Sequence, residues 1–130
     1  MIPSKIIKGN IKDIAAQYPI YSQDNKQGDA LAWLKLIITG TDATYYILEA
    51  KQYGEYQGRE NWELYGVCNM GGTFRYGYFC LAELEALDMY GGLVHVEAVP
   101  DFEPRQLSAI PEVVADLSDL WGRAKSAPND

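Results

Sequence analysis

One histidine and one nearby carboxylate are the residues of this chain whose types most readily suggest acid–base chemistry. His95 is the only histidine among the 130 residues, and Glu97 follows it at a spacing of two. A carboxylate can orient an imidazole and raise its pKa, as a general acid or base requires. Residues 94–99 alternate, however, so that their apolar members point to the opposite face of a strand. A solvated strand face is the simpler interpretation, and an acid–base pair is the alternative.

The other chemistry-bearing residue types form no recognised motif. The two cysteines, Cys68 and Cys80, lack the spacing of a zinc site, and no Gly-x-Ser-x-Gly segment is present. The two Gly-Gly pairs, at positions 71–72 and 91–92, are typical of turns rather than of phosphate-binding loops. We therefore expect two unreactive thiols, no metal and no cofactor.

A β-hairpin centred on positions 71–72 can be assigned together with its register. Strand segments near 62–69 and 73–79 flank the glycine pair, and a two-residue turn makes the numbers of opposed residues sum to 143. One face then pairs Tyr65 with Tyr78 and Val67 with Tyr76, and the other face pairs Gly66 with Gly77 and Cys68 with Arg75.

The opposed Gly66 and Gly77 leave one sheet face without side chains at that point. Two interpretations follow from this bare patch. Either a neighbouring helix packs there, or a small pocket floored by glycine and bordered by Arg75 binds a ligand.

The ten tyrosines are the strongest anomaly of the composition. Tyrosine is a good strand residue, and its cross-strand pairs stabilise a sheet. Its apolar ring and polar hydroxyl also suit protein interfaces. The candidate contact residues are three tyrosines of the hairpin and two in the polar segment 52–61, which we expect to be a loop. They are Tyr53, Tyr56, Tyr65, Tyr76 and Tyr78.

Periodicity and turn residues predict an α+β fold with a mainly antiparallel sheet of about five strands. A short helix over 11–17 begins the fold, a helix over 81–89 follows the fourth strand, and a helix from Pro111 to about Ala124 ends it. The other strands are predicted at 31–39, 44–51 and 94–99. The buried stripe of the last helix is predicted to consist of Val113, Val114, Leu117, Leu120 and Trp121. We expect one domain, residues 1–124, and a flexible tail, residues 125–130.

The net charge of −7 is concentrated in the second part of the chain. Residues 1–80 carry eight basic and eight acidic side chains, whereas residues 81–130 carry three and ten. Such a balance disfavours direct nucleic-acid binding and fits either a solvated surface or a face that docks against a basic protein. No apolar run is long enough for a membrane span, and no signal peptide is predicted, so we expect a cytoplasmic protein.

Four segments resemble a known family in their order and spacing. They are YPIY at 18–21, LYGV at 64–67, GYFCLAELE at 77–85 and DFEPRQL at 101–107. The chain thereby resembles domain-of-unknown-function family 2958. The resemblance implies a small bacterial protein, often carried on plasmids and other mobile elements, and it implies no activity. Cys80 stands where the family has serine as a helix cap, and a thiol is a poor acceptor for backbone amides.

These observations favour a non-catalytic protein–protein interaction module with a partner that is basic or itself binds nucleic acid. Carriage on mobile elements, implied by the resemblance alone, makes an inhibitor of a host defence nuclease one concrete version. The alternative is a small-molecule binder or modest enzyme that uses the glycine-floored pocket or His95 and Glu97. A homodimer is a third possibility, because edge strands and tyrosines also serve dimer interfaces.

Overall fold

The computed structural model describes Ile6 and residues 11–126. It confirms the predicted α+β class with a mainly antiparallel sheet. The helices are α1 (Ile11–Gln17), α2 (Leu81–Ala86) and α3 (Pro111–Ser126), and short 3-10 turns lie at Gln27–Asp29 and Leu107–Ala109. The strands are β1 (Leu31–Ala32), β2 (Leu34–Ile38), β3 (Thr44–Tyr56), β4 (Arg59–Asn69), β5 (Arg75–Cys80), β6 (Asp88–Met89), β7 (Val94–Ala98) and β8 (Arg105–Gln106).

The main sheet has six strands in the order β5-β4-β3-β2-β7-β6, and every neighbouring pair is antiparallel. A separate pair, β1 with β8, forms a two-stranded sheet. The short strands β1, β6 and β8 were not predicted, because two-residue strands leave no alternating pattern to detect. The predicted strand 31–39 is divided at Trp33, whose N–H donates to the carbonyl of Ile47 at 3.0 Å.

Both faces of the sheet are covered, and β3 supplies side chains to both. Tyr45 and Ile47 belong to the first core, which includes Leu81 of α2. Tyr46 and Leu48 belong to the second core, on the other face. This second core also includes residues from α3 and from the 3-10 turn before it, namely Leu107, Ile110, Val113 and Leu117. The alternation of a strand places successive side chains on opposite faces, which is why adjacent residues of β3 enter different cores.

The predicted register of the β4–β5 hairpin is confirmed. Its six observed pairs run from Glu63 opposite Cys80 to Cys68 opposite Arg75, and all obey the expected sum. Strand β5 begins two residues later than predicted because Phe74 turns into the second core, where its N–H donates to Asp116 at 2.9 Å.

Three other features differ from the prediction. The segment 52–61 is not a loop but the paired end of β3 and β4, with Gln52 opposite Trp62 and Tyr56 opposite Arg59. Helix α2 ends at Ala86 rather than at residue 89, since the next residues form β6 against β7. Within the predicted stripe of α3, Val113 and Leu117 are buried, whereas Leu120 is 43% exposed.

The two ends of the chain are only partly described. Helix α1 has the predicted bounds, and Pro111 occupies the first turn of α3 as expected. Helix α3 continues to Ser126, which includes the first two residues of the predicted tail; residues 127–130 lie outside the described part. Within the described residues, no helix has both the length and the apolar character needed to cross a bilayer.

Candidate functional site

The paired end of β3 and β4, residues 51–60, forms an arm. All residues from 51 to 58 are exposed, and the strands turn at Gln57 and Gly58 with φ of 51° and 80°. Positive φ at both central residues is the conformation of the tight hairpin turn that suits twisted strands. Tyr53 is 62% exposed and Tyr56 is 44% exposed. Two predicted contact residues therefore lie on a paired arm rather than on a loop.

The three hairpin tyrosines form a continuous aromatic row across β4 and β5. The ring of Tyr65 lies 6.0 Å from that of Tyr76 and 4.8 Å from that of Tyr78, measured between centroids. Burial is the main cause that raises the pKa of Tyr65, to about 12, and burial also raises the pKa of Tyr76. Tyr65 and Tyr76 are half-buried and serve the second core, while Tyr78 is 51% exposed. Of the three, Tyr78 is thus the one most open to a partner.

A groove, which we call the arm groove, joins the arm to β5 and α2. It has a volume of about 330 Å³ and brings together Tyr53 of the arm and Tyr78 of β5. Two carboxylates, Glu63 and Glu83, also line it. Lys51 lies opposite Glu63 in the strand register, but no ion pair joins these two described residues. The arm groove therefore combines two exposed aromatic rings with negative charge.

The floor of the arm groove contains Asn61, a buried residue that the sequence reading did not single out. Its Oδ1 accepts the N–H of Ala82 in the first turn of α2 at 3.0 Å and the N–H of Trp62 at 2.9 Å. Its Nδ2 donates to Sγ of Cys80 at 3.1 Å. Cys80 occupies the N-cap position and makes no capping hydrogen bond itself. Asn61 thus supplies from a neighbouring strand the acceptor that the cap residue lacks.

Of the two opposed glycines, packing excludes a side chain at Gly66 and leaves room for a Cβ at Gly77. A Cβ at Gly66 would lie 2.0 Å from the carbonyl oxygen of Tyr46, because β3 approaches β4 closely beside the bulge between Ile47 and Glu49. A Cβ at Gly77 would meet the ring of Phe79 at 3.5 Å. The Phe79 ring therefore lies beside the patch where the sequence suggested a pocket, and neither glycine is among the described residues that line the three cavities.

Four side chains were expected around this patch, Leu64 and Phe79 on one side and Cys68 and Arg75 on the other. Cys68 packs against the first core, and burial raises the pKa of its thiol although the facing guanidinium of Arg75 opposes that shift. The arginine itself is exposed. A partly buried thiol with a raised pKa is protonated at neutral pH and is a poor nucleophile.

His95 and Glu97 are in direct contact, as their spacing suggested. Nε2 of the imidazole lies 2.6 Å from Oε2 of Glu97, and Nδ1 lies 2.7 Å from the carbonyl oxygen of Gly92. The hydrogen bond to Glu97, followed by that to Gly92, raises the pKa of His95. Both ring nitrogens face acceptors, so the arrangement favours an imidazolium that donates twice over an imidazole with a nitrogen free to accept a proton.

The pair borders a cavity of about 420 Å³ that Glu85 and Asp88 also line. Despite this concentration of carboxylates, no group of three His, Cys, Asp or Glu side chains in the described residues is arranged to hold a metal ion. The cavity offers negative charge and a hydrogen-bonded histidine.

A third cavity, of about 260 Å³, lies between the segment before β1, strands β3 to β5 and α3, and we call it the aromatic cavity. Its walls include Tyr65, Tyr76 and Trp121, and Asp24 contributes a carboxylate. The indole Nε1 of Trp121 donates to the hydroxyl of Tyr76 at 2.8 Å.

The sequence matches no protein-family model, no curated protein and no solved structure. The resemblance to domain-of-unknown-function family 2958 therefore stays a prediction.

The structure brings together candidate site residues that the sequence alone could not place side by side. Tyr53 and Tyr78 were selected by type, and the fold places both on one groove. Asp24 and Trp121 were not selected as site residues, because nothing in the sequence links a polar N-terminal segment with the last helix. In the sequence, only the high content of acidic residues and tyrosines indicated that sites with carboxylates and aromatic rings could form.

Proposed function

We propose that this protein is a non-catalytic protein–protein interaction module that binds a basic segment of its partner through the arm and the arm groove. The observation that carries the proposal is the convergence of exposed Tyr53 and Tyr78 with Glu63 and Glu83 on one groove of about 330 Å³. Tyrosine provides a large contact area with few rotatable bonds, which lowers the entropic cost of binding. Arginine and lysine are favoured occupants, because aromatic rings and carboxylates both attract a cation.

The charge of the whole chain supports the same class of partner. A net charge of −7 favours encounter with a basic surface and disfavours encounter with a phosphate backbone. An inhibitor of a DNA-binding nuclease is the concrete version we propose, since such an enzyme must present a basic surface to its substrate. In that version the protein competes with DNA, and added duplex DNA displaces it from the nuclease.

Peptide binding tests the proposal directly. We expect an arginine-rich peptide to bind the full chain, and an acidic peptide of equal length not to bind. Tyr53→Ala combined with Tyr78→Ala should weaken binding at least about tenfold, since tyrosine is enriched among the few interface residues that each contribute about 2 kcal/mol or more. Raising the salt concentration should also weaken it, because the carboxylates contribute through charge.

Tyr90→Ala is the matched control. Tyr90 is 77% exposed on the turn before β7 and does not line the arm groove. Its substitution should leave the affinity for the arginine-rich peptide unchanged. Equal binding of the acidic peptide, or an equal loss with Tyr90→Ala, would contradict the proposal.

A homodimer stays a prediction as well. Strand β5 is at the edge of the main sheet, so its outer backbone groups are placed to pair with another strand. Light scattering across a concentration range measures the mass of the particle and decides this point.

A further inference from the structure

The aromatic cavity differs in composition from the arm groove, and the described residues that line the two sites are all different. Three aromatic side chains, Tyr65, Tyr76 and Trp121, form part of its wall, and Asp24 is the one charged side chain among the described residues that line it. Leu48 and Leu120 add apolar surface. A cavity of this kind attracts a positive charge that is itself poorly hydrated.

The aromatic wall is held in place by contacts outside the cavity. The indole of Trp121 donates to the Tyr76 hydroxyl at 2.8 Å, and its ring packs on Gly28, where a Cβ would approach it to 3.0 Å. The rings of Tyr65 and Tyr76 are nearly parallel, with an interplanar angle of 15°. Fixed rings lose little entropy when a ligand binds, so the aromatic wall is preorganised for binding.

Among the described lining residues, the polar groups leave one position for charge recognition. The side-chain amide of Gln23 is fully engaged, because it donates to the carbonyls of Leu31 and Leu48 and accepts the N–H of Leu31. Burial raises the pKa of both Tyr65 and Tyr76, so their hydroxyls are neutral at physiological pH. Asp24 is exposed and therefore gives the cavity its negative charge.

We propose that the aromatic cavity binds a small organic cation of the quaternary or methylated ammonium class, with the cationic head against Tyr65, Tyr76 and Trp121 and its charge balanced by Asp24. The size agrees with this class. A volume of about 260 Å³ lies just below the 300–1,000 Å³ of common ligand pockets, which suits a head group rather than a nucleotide or a drug-sized molecule.

A pair of isosteric probes tests the proposal by calorimetric titration of the full chain. Choline carries a trimethylammonium head, and 3,3-dimethyl-1-butanol has the same shape without the charge. We expect saturable binding of choline and at least about tenfold weaker binding of the neutral alcohol, because the alcohol lacks the positive charge that aromatic faces and a carboxylate attract.

Two variants separate the charge from the aromatic wall. Asp24→Asn keeps the shape of an exposed side chain and should weaken choline binding severalfold, while Trp121→Leu should weaken it at least about tenfold. Asp29→Asn is the control, since Asp29 is exposed on the same segment and does not line the cavity; it should leave affinity unchanged.

Equal affinities for choline and the neutral alcohol would overturn the proposal, as would an unchanged affinity in Asp24→Asn. Absence of saturable choline binding to the wild-type chain would also overturn it. Because Asp24→Asn alters an exposed residue, its result stands even if Trp121→Leu does not fold.

Discussion

At the scale of single residues, His95 shows how two acceptors determine the state of an imidazole. Glu97 and the carbonyl of Gly92 both lie within hydrogen-bonding distance, at 2.6 and 2.7 Å, and only the protonated ring donates to both. The pKa of His95 is therefore raised above its ordinary value of 6.5. The environment of His95 therefore favours a positively charged imidazolium on the sheet surface over a neutral imidazole that could abstract a proton.

Replacing Glu97 by glutamine should lower the pKa of His95, because the largest cause of the raised value is lost. A raised pKa in the folded state adds stability that is fully present below pH 6.5, the value in the unfolded chain, and is lost as the pH rises through the folded-state pKa. In Glu97→Gln, the free energy of unfolding should therefore fall less than in the wild type as the pH rises from 6.5 through the folded-state pKa of His95. An NMR titration of the imidazole protons measures the pKa directly.

Glu103→Gln is the control for this change, because Glu103 is exposed outside β7 and is not among the groups that shift the imidazole. It should leave the titration of His95 unchanged. If Glu97→Gln and Glu103→Gln gave the same pKa as the wild type, the hydrogen bond would not be the cause of the shift.

At the scale of elements, helix α2 depends on a capping group that belongs to β4. Asn61 accepts the N–H of Ala82, whereas Cys80 at the N-cap makes no such bond. The helix and the floor of the arm groove are thus joined through one buried amide. The sequence places a poor acceptor, the thiol of Cys80, at the N-cap of this helix. Asn61, 19 positions earlier, provides the missing acceptor.

Asn61→Ala should destabilise the fold by about 1–3 kcal/mol, because it leaves the buried N–H of Ala82 without a partner. Adding Cys80→Ser to that variant should recover about 0.5–2 kcal/mol, since a serine hydroxyl at the N-cap can accept from the first turn. Urea denaturation of the single and double variants measures both effects.

Asn69→Ala is the matched control for the asparagine change. Oδ1 of Asn69 accepts the N–H groups of Gly71 and Gly72 on an exposed turn, where water can replace it, so the cost should be smaller. An Asn69→Ala variant as unstable as Asn61→Ala, or a double variant without any recovery, would contradict the capping role.

At the scale of the whole molecule, β3 connects regions of very different burial. Residues 45–50 are buried and supply both cores, whereas residues 51–58 are exposed along the arm. The bulge between Ile47 and Glu49 places the carboxylate of Glu49 where it accepts the N–H groups of Tyr21 and Gln23, at 2.8 and 2.7 Å. A segment that precedes the sheet is thereby tied to its central strand.

Amide hydrogen exchange should report this gradient along one strand. We expect the amides of residues 45–48 to exchange slowly, near the rate set by global unfolding, and those of residues 53–58 to exchange much faster through local opening. Residues 64–67 of β4 serve as the internal control, because they lie in the same buried region and should be protected like their partners in β3. Uniform protection from residue 45 to residue 56 would contradict the expectation.

The features that could be predicted are those that leave a local pattern in the sequence. The β4–β5 register was predictable because a glycine pair defines both the turn and the pairing. The arm was predicted as a loop because both of its faces are exposed, so its strands lack the apolar alternation by which strands are detected. The roles of Asn61 and Glu49 depend on partners 21 and 28 residues away, and such contacts leave no local pattern.

The tip of the arm has a practical consequence. Gln57 and Gly58 lie about 20 Å along the strand from residue 51, at roughly 3.3 Å per residue, and belong to neither core. A break in the chain between them leaves two fragments, each with one side of the β3–β4 pairing and its share of both cores. The tip is therefore a natural point at which to divide the protein into complementary halves, or to insert a reporter peptide.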